Sequence, residues 1–479
     1  MPGETGTPLK AETKNEWQKF LALISPFSKE FDWDHWLDWI DGWGFSRALF
    51  LSILYVGLLS VLSLQIPHIV LFAFGWIIGT SPIWLPIAMI IGYYHIWVWY
   101  ARSLYIFNTE TVLLEMKIPR EISKSPRAME TAIGQLWSFV GTTTFVQRIW
   151  LGQVQPWYSF ELVSIGGEVH FYIWLWKMHQ QNVEAAFYAQ YPEIELHEVE
   201  DYSKKFVYDP ATQTCHAMLW RLEPHNPKER YVDAYPIKTY IDLELDKDPK
   251  EEFKVDPLAN VVEFMSNIKP TQQIWMQIIL TGATQIGVLV RRDHDWKRKV
   301  EEEVQKVRRL AAIFPTTSST QLTEDEKRFV RPRPTWTQEH QLETMQRNLG
   351  KWPFEVSMRG ILISNHADTG RVYWNLRWIW RAYANPQYMT QLRPRGWHTI
   401  MTDYPWQDYA DIRWEIITYR FIDAYRRRSA FYSPWQAPTN VMTSEVLASI
   451  FHPPSSGAKA PGVRRIPATK AAPPADLPK

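Results

Sequence analysis

The sequence predicts an α+β protein carried on an N-terminal transmembrane helical hairpin, on the strength of three observations. Between Arg47 and Arg102 lie 54 consecutive residues without Asp, Glu, Lys or Arg, in a chain that is 22% charged overall. After that run, short alternating apolar segments and helical segments follow one another in the order β-α-β-β-α-β. The same order then recurs, with a charged helical stretch inserted in its second occurrence. The uncharged run cannot be an ordinary core segment, because roughly 20 apolar helical residues already cross a hydrocarbon layer of about 30 Å.

Within the run, Ala48–Ile66 is expected to form a first span and Ile83–Tyr100 a second. The stretch between them, PHIVLFAFGWIIGTSP, is apolar but contains Pro67, Gly75, Gly79 and Pro82, and is expected to connect the two. Two spans are preferred, with three as the alternative. Forty-seven residues precede the run and no small-residue cleavage site follows a short apolar core, which argues against a signal peptide. Tyr93, Tyr94, Trp97, Trp99 and Tyr100 crowd one end of the second span in the manner of an interfacial aromatic belt. Lys10, Lys14, Lys19, Lys29 and Arg47 precede the hairpin, and Arg102, Lys117, Arg120, Lys124 and Arg127 follow it, with no basic residue between. Both ends are therefore expected in the cytoplasm, with the soluble part facing the cytoplasmic side of the inner membrane. His68 and His95 lie near span ends, so interfacial placement is favoured over a proton relay.

Residues 1–46 precede the hairpin (47–103), and Trp33, Trp36, Leu37 and Ile40 recur there at helical spacing with Asp34, Asp38 and Asp41 on another face. This predicts an amphipathic helix that rests on the membrane or docks on the soluble part. A first unit, 104–205, is read from a strand at Thr109–Ile118, a helix at Ser125–Val140, a hairpin of Trp157–Ser164 and Glu168–Trp176 around Gly166-Gly167, a helix at Gln180–Tyr191 and a strand at Ile194–Val199. A second unit, 206–450, is read from a strand at Pro236–Leu243, a helix at Asp256–Asn267, strands at Gln273–Leu280 and Phe354–Ser364, and a helix at Gly370–Tyr383, its sixth element undefined. The insertion 291–350 holds a charged helix, Arg291–Ile313, and another after Pro334. A βαββαβ order is that of a ferredoxin-like unit, so two tandem ferredoxin-like units are expected, the second with a helical arm. Residues 451–479 are rich in Pro, Ala and Lys and are expected to be a disordered tail.

Net charge is +1, so bulk electrostatics announce no nucleic-acid partner. Cys215 is the single cysteine, which excludes an intramolecular disulfide and fits a reducing compartment. Twenty-six tryptophans exceed what a membrane edge needs, and Trp374, Trp378 and Trp380 point to a large apolar surface elsewhere. Gly350-Lys351 is followed by Trp352 and lacks the earlier glycine of a phosphate-binding loop, and no GxGxxG, HExxH, CxxC or GxSxG occurs. Asp293-His294-Asp295 is metal-like in composition, yet its place at the head of a charged helix favours a solvated or capping role. His197 is expected to alternate away from Glu198 and Glu200, and His179, His216 and His225 show no ligand spacing. Arg426, Arg427 and Arg428 beside aromatic residues suit phosphate contact or, preferably, a surface cluster, as does Arg464-Arg465. Arg291, Arg292, Lys297, Arg298 and Lys299 are offset by Glu301, Glu302 and Glu303, the pattern of a solvated helix face. No catalytic, cofactor-binding or metal-binding residue is assigned, and no cofactor is expected.

The stretches LEMKIPREISKSPRAME, WYSFELVSIGGEVHFYIW, NVEAAFYAQYPEIELHEVEDY and NVVEFMSNIKPTQQIWMQIIL, with DYPWQDY, TSEVLASIFHPP and PPADLP further on, resemble a domain of unknown function from candidate-phylum bacteria. The resemblance covers most of residues 109–479. In that family the domain follows N-terminal membrane spans and often precedes a conjugation-type ATPase of the type IV secretion kind. This chain departs from the fused form by ending after its Pro-rich tail, so no ATPase residue carries over, and an ATPase or sister subunits are expected in trans. The resemblance thus implies a membrane-anchored, non-catalytic accessory or scaffold protein of a secretion- or DNA-transfer-like machine, with the bilayer as its other partner. The alternative is a membrane tether that binds nucleic acid through Arg426–Arg428 and the basic tail. A third reading is an enzyme whose site is assembled from scattered Asp, His and Tyr.

Overall fold

The structure is a computed structural model that describes residues 47–119, 124–137, 144–224, 232–247, 256–283, 296–311, 334–366, 370–386, 390–396, 412–432, 435–454, 462 and 465–466. The expected amphipathic helix before residue 47 lies outside these residues, as do Asp293-His294-Asp295, Arg291, Arg292, His225 and Arg464. The chain divides into two compact units, Met1–Ile87 with Ile400–Trp414 and Ala88–Thr399 with Glu415–Lys479.

The described part of the first unit is helical and apolar. Helix α1 (Arg47–Gln65) and helix α2 (Pro67–Asn108) are separated by the single residue Ile66. The break falls where Pro67 has no N–H to donate. Hydrogen bonds continue on both sides of it, from Ile66 N to Leu62 O at 2.8 Å and from Val70 N to Ile66 O at 3.3 Å. The connector expected at 67–82 is therefore helix rather than loop, and the two-span reading with a connection before Ile83 is corrected. Pro82 and Pro86 sit inside α2 without ending it. Nearby, Thr80 Oγ1 donates to Trp76 O at 2.8 Å and the Trp84 indole to Ile77 O at 3.0 Å, local bonds of the kind that let apolar helices tolerate proline. Apolar side chains stand exposed all along this unit, Phe72 and Ile78 among them. Helix α2 has 42 residues and is long and apolar enough to cross a membrane.

The second unit is built on a mixed sheet of ten strands among the described residues. Its first strands are β1 (Thr111–Pro119), β2 (Tyr158–Ile165), β3 (Glu168–Trp176) and β4 (Glu195–Val199). Then come β5 (Gln213–Pro224), β6 (Gln273–Gly282), β7 (Pro353–Asn365) and β8 (Thr390–Gly396). Two short strands, β9 (Asn440–Thr443) and β10 (Arg465–Ile466), complete it. The order is β10-β1-β3-β2-β6-β7-β5-β8, with β4 also on β1 and β9 also on β7. Every pairing is antiparallel except β1 with β10. Strands β2 and β3 are joined at Gly166 (φ 60°) and Gly167 (φ 96°), the two positive-φ positions that a two-residue hairpin turn demands.

Alternation divides each strand between two faces. One face presents Leu114, Phe160, Phe171, Met276, Met358 and Met218 to one large core. It is covered by helices α3 (Pro126–Gln135), α5 (Gln180–Gln190), α7 (Pro257–Ser266) and α12 (Ser444–Ile450). Asp256 caps α7 by accepting from Leu258 N at 2.9 Å, with Pro257 in the first turn. Gly360 belongs to this face because a Cβ there would stand 2.6 Å from the Trp220 ring. The other face presents Leu113, Val163, Trp174, Trp275 and Ile361 to a second core under Phe421, Ile422 and Tyr425. These three belong to helix α11 (Ile412–Arg427), which follows α10 (Gly370–Arg377) in the chain. The arm consists of α8 (Trp296–Ala311) and α9 (Trp336–Leu349), which enclose a third cluster of Trp296, Val300, Val304 and Met345 with Tyr235.

Most of the expected elements are present, with two corrections. Pro236–Leu243, expected as a strand, is coil and turn, and the strand in that role is β5, which the sequence pattern did not single out. Asp242 accepts from Thr239 N at 3.0 Å, a local side-chain bond that competes with strand pairing. The expected tail begins folded: Phe451 is buried with its ring stacked on Phe160 (centroids 4.7 Å apart), and His452 pairs with Asp256 at 3.1 Å. Further on, Gly462 O accepts from Val169 N at 2.9 Å, and Arg465 and Ile466 pair with Ile118 and Pro119.

Candidate functional site

The strongest polar constellation lies on the second face of the sheet. Glu161 on β2 is in register with Gln277 on β6, which is in register with Arg359 on β7. Glu161 and Arg359 are fully buried and Gln277 nearly so. Such groups survive burial only when hydrogen-bonded and charge-paired. Glu161 accepts at Oε1 from Ser159 (2.8 Å), Gln277 (3.0 Å) and Arg428 Nε (2.9 Å). At Oε2 it accepts from Tyr202 (2.8 Å) and Arg428 Nη2 (3.1 Å). Arg428 also donates to Asp201, whose carboxylate accepts from Ser203 N at 3.0 Å at the start of α6 (Tyr202–Lys205). Arg359 donates to Gln277 (2.8 Å), Ala424 O (2.8 Å) and Ser429 O (3.0 Å).

Two guanidinium groups and two carboxylates thus neutralise one another beneath the end of α11. Arg428 has φ 48°, so the chain leaves α11 through a left-handed residue that turns this side chain inward. Burial pulls the Arg428 guanidinium down, but the Glu161 charge, its hydrogen bonds and Asp201 outweigh that and hold it well above its ordinary value. Burial pushes Asp201 up, and Arg428 beside it wins and holds the carboxyl low. Burial lowers Arg359 to about 9, still charged at neutral pH. Tyr202 and Tyr425, whose hydroxyls meet at 3.0 Å, are raised well above the usual phenol range by burial. Chemically this arrangement is a sealed clamp: its donors and acceptors bind one another and fasten α11 and the 201–206 segment across the middle of the sheet.

A second buried cluster fastens the arm. Arg347 on α9 reaches Asp242 at 2.8 Å and the buried Glu445 on α12 at 3.0 Å, and Thr239 donates to Glu445 at 2.6 Å. Burial raises the Glu445 carboxyl despite these partners. Beside it Lys351 and Tyr240 both bind Glu130 on α3, the lysine at 2.6 Å and the tyrosine at 2.5 Å.

A third site is apolar. The last turns of α2 meet helix α4 (Phe145–Ile149) and the residues after it. Trp97, Tyr100, Ala101, Leu104, Trp150 and Leu151 line a groove of about 340 Å³ there. Val98 and Ala101 are buried in the second unit, Tyr105 packs on Trp176 (6.0 Å), and Arg102 lies over the Tyr432 ring (5.8 Å).

The arginine triplet does not form an exposed basic patch. Arg428 is the centre of the clamp, Arg426 donates to Ser203 O (3.0 Å) and Phe206 O, and the exposed Arg427 pairs with Asp423 at 2.9 Å. Glu161, Asp201 and Arg359 were missed in the sequence. For Glu161 and Arg359 the available signal was a charge on an otherwise apolar strand; Asp201, which precedes α6, carried none. His197 meets Glu195 at 2.9 Å. Burial pushes the Cys215 thiol up to about 12 and His216 down to about 4. On the arm, Arg298 pairs with Glu302 at 3.8 Å. Trp380 is buried while Trp374 and Trp378 are exposed. Among the described residues no group of three or more His, Cys, Asp or Glu is placed to hold a metal ion.

No curated protein matches this chain. The profile of a family described as domain of unknown function DUF8128 covers residues 104–461, which begins near the end of α2 and takes in the whole sheet up to β9 with the arm and both buried clusters, and the chain belongs to that family.

Proposed function

We propose that this chain is a membrane-anchored, non-catalytic accessory protein of a type IV secretion- or DNA-transfer-like machine, docking an ATPase or sister subunits at the cytoplasmic face of the inner membrane. The observation that carries the reading is the continuity of α2. The helix runs from Pro67 through a charge-free stretch to Asn108, and Val98 and Ala101 near its end are buried, so the chain passes from the apolar stretch into the sheet-bearing unit without leaving the helix. Lys117, Lys124 and Arg127 follow the helix, which favours a cytoplasmic side for the sheet. A non-catalytic role is supported by the clamp, whose charges are spent on one another beneath solvent.

The sheet is inferred to be two ferredoxin-like units joined edge to edge. The order β4-β1-β3-β2 of the first four strands and β8-β5-β7-β6 of the next four support this, since each is the 4-1-3-2 order of a βαββαβ unit. The β2–β6 pairing would then be the join. The arm emerges between β6 and β7, and its α8 presents Arg298, Glu301, Glu302, Lys306 and Arg309 along a surface groove of about 550 Å³. Mixed charge of this kind suits reversible docking of a sister subunit.

The test is affinity purification of the full-length chain from detergent-solubilised membranes of its own host. Enrichment of a conjugation-type ATPase, weakened by reversing charges on α8, is the expected result. Recovery of a lone monomer with no ATPase would overturn the reading.

A further inference from the structure

We propose that α4 and the turn after it form a second membrane contact, seated in the lipid headgroup layer beside the end of α2. The inference rests on the anchoring reading above and adds to it a position for a segment that carries no span of its own. Phe145, Val146, Trp150 and Leu151 are each more than half exposed, at 56%, 54%, 53% and 62%. Four large apolar side chains within seven residues are a costly surface to leave in water.

The segment is held rigidly in that exposed position. Thr144 and Gln147 form a reciprocal capping box, with Thr144 N donating to Gln147 Oε1 at 2.8 Å. Gln153 N closes the far end on Gln147 O at 2.9 Å. Gly152, at φ 65°, lies directly on the backbone of α2, where a Cβ would stand 2.2 Å from Ala101 C and O. Trp150 then meets Trp97 edge to face, ring centroids 5.3 Å apart. These contacts fix α4 at the level of Trp97–Leu104.

That level is where a bilayer ends. The charge-free part of α2 runs from Pro67 to Ala101, and 35 helical residues rise about 52 Å, well beyond a hydrocarbon core of about 30 Å and slightly beyond about 45 Å with headgroups. Its last turns therefore stand among headgroups, where Tyr93, Tyr94, Trp99 and Tyr100 present their exposed rings. Trp97 joins the α4 surface to these rings, its centroid 5.3 Å from Trp150, 6.1 Å from Tyr93 and 6.2 Å from Tyr100. Arg102, the first charge after the run, and Arg148 in the last turn of α4 supply positive charge at the depth of the lipid phosphates. Continuity with the span, depth and charge all select lipid as the occupant.

The test uses full-length chain in nanodiscs of phosphatidylcholine and phosphatidylglycerol, spin-labelled at one introduced cysteine. Three positions are compared: Ile78→Cys in the span, Val146→Cys on α4, and Glu339→Cys on the arm. Native Cys215 is buried and stays unlabelled. Relaxation by oxygen, which partitions into lipid, is measured against a water-soluble nickel chelate. The expected result is strong oxygen preference at residue 78, nickel preference at residue 339, and an intermediate, headgroup-depth ratio at residue 146, several-fold above that at 339. A lipid-phase label at 78 with an aqueous label at 146 would overturn this inference and leave the anchoring reading standing. An aqueous label at 78 would overturn both. A label at 146 shielded from both agents and broadened by a second spin would assign the surface to another copy of the chain, and would also overturn the inference.

Discussion

Arg428 Nε donates to Glu161 Oε1 at 2.9 Å across 267 positions of sequence, and both side chains are fully buried. One residue ends α11 and the other sits mid-strand in β2, so this pair closes the longest loop in the clamp. Removing Arg428 leaves Glu161 without its ion-pair partner, and removing Glu161 leaves Arg428 with Asp201 alone to balance it. Arg428→Leu or Glu161→Leu is expected to cost about 3–5 kcal/mol of stability. The double variant is expected to lose less than the sum of the two, because the Glu161–Arg428 bonds are then lost once rather than counted twice. Denaturant unfolding of the four proteins in detergent measures the coupling, and simple additivity would contradict the clamp.

Acid stability should fall in two separate windows. Burial holds His216 down to about 4, against 6.5 for the free side chain. Its folded value is the lower one, so between those pH values the unfolded chain binds a proton that the folded chain refuses, and stability declines as pH drops through the window. Asp201 acts lower. Burial would raise its carboxyl, Arg428 outweighs that and lowers it from 3.8, so its contribution is complete above 3.8 and is lost as pH falls through the depressed folded value. Melting temperature against pH should show a His216→Gln variant flattened in the upper window and unchanged in the lower.

Gly360 is on β7 where the Trp220 ring crosses the strand, with the ring 2.6 Å from where a Cβ would be. Trp220 cannot swing freely, since its indole donates to Arg377 O at 3.1 Å and its ring meets Trp380 edge to face. Gly360→Ala is expected to destabilise by about 1–3 kcal/mol through overpacking. Adding Trp220→Phe, which shortens the ring, should recover part of that loss in the same unfolding measurement.

Gly152→Ala combines two penalties, a left-handed backbone (φ 65°) and a clash with the Ala101 backbone at 2.2 Å. The expected effect is a loss of about 1–3 kcal/mol confined to the junction of α4 with α2. Limited proteolysis should cut around residues 144–153 several-fold faster in the variant, while the thermal unfolding of the sheet moves little.

Much of the sheet was legible because alternation is a local signal. Tyr158–Ile165 and Glu168–Trp176 read as a hairpin from their own residues and from Gly166-Gly167, and a helix was expected after Pro334, where α9 lies. Two readings failed for identifiable reasons. PIKTYIDL carries a strand-like pattern, but the Thr239–Asp242 bond turns it, and β5 was passed over although Trp220, Arg221, Leu222 and Glu223 alternate between buried and half-buried positions. Pro67 was read as the start of a connection, although a proline is also at home in the first turn of a helix.

By itself the sequence determined the uncharged run, the order of most strands and helices, and membership of the family, since each depends on residues close together in the chain or on their order. Only the tertiary structure decided where Arg428 goes. Three consecutive arginines read as a surface cluster until β2 supplies Glu161 and the turn before α6 supplies Asp201, because burial of a charge depends on partners that sequence spacing cannot bring into view. The same holds for α4 and the turn after it: residues 145–151 carry no signal of their own, and only the contact of Gly152 with Ala101 sets Trp150 beside Trp97 near the end of the apolar helix.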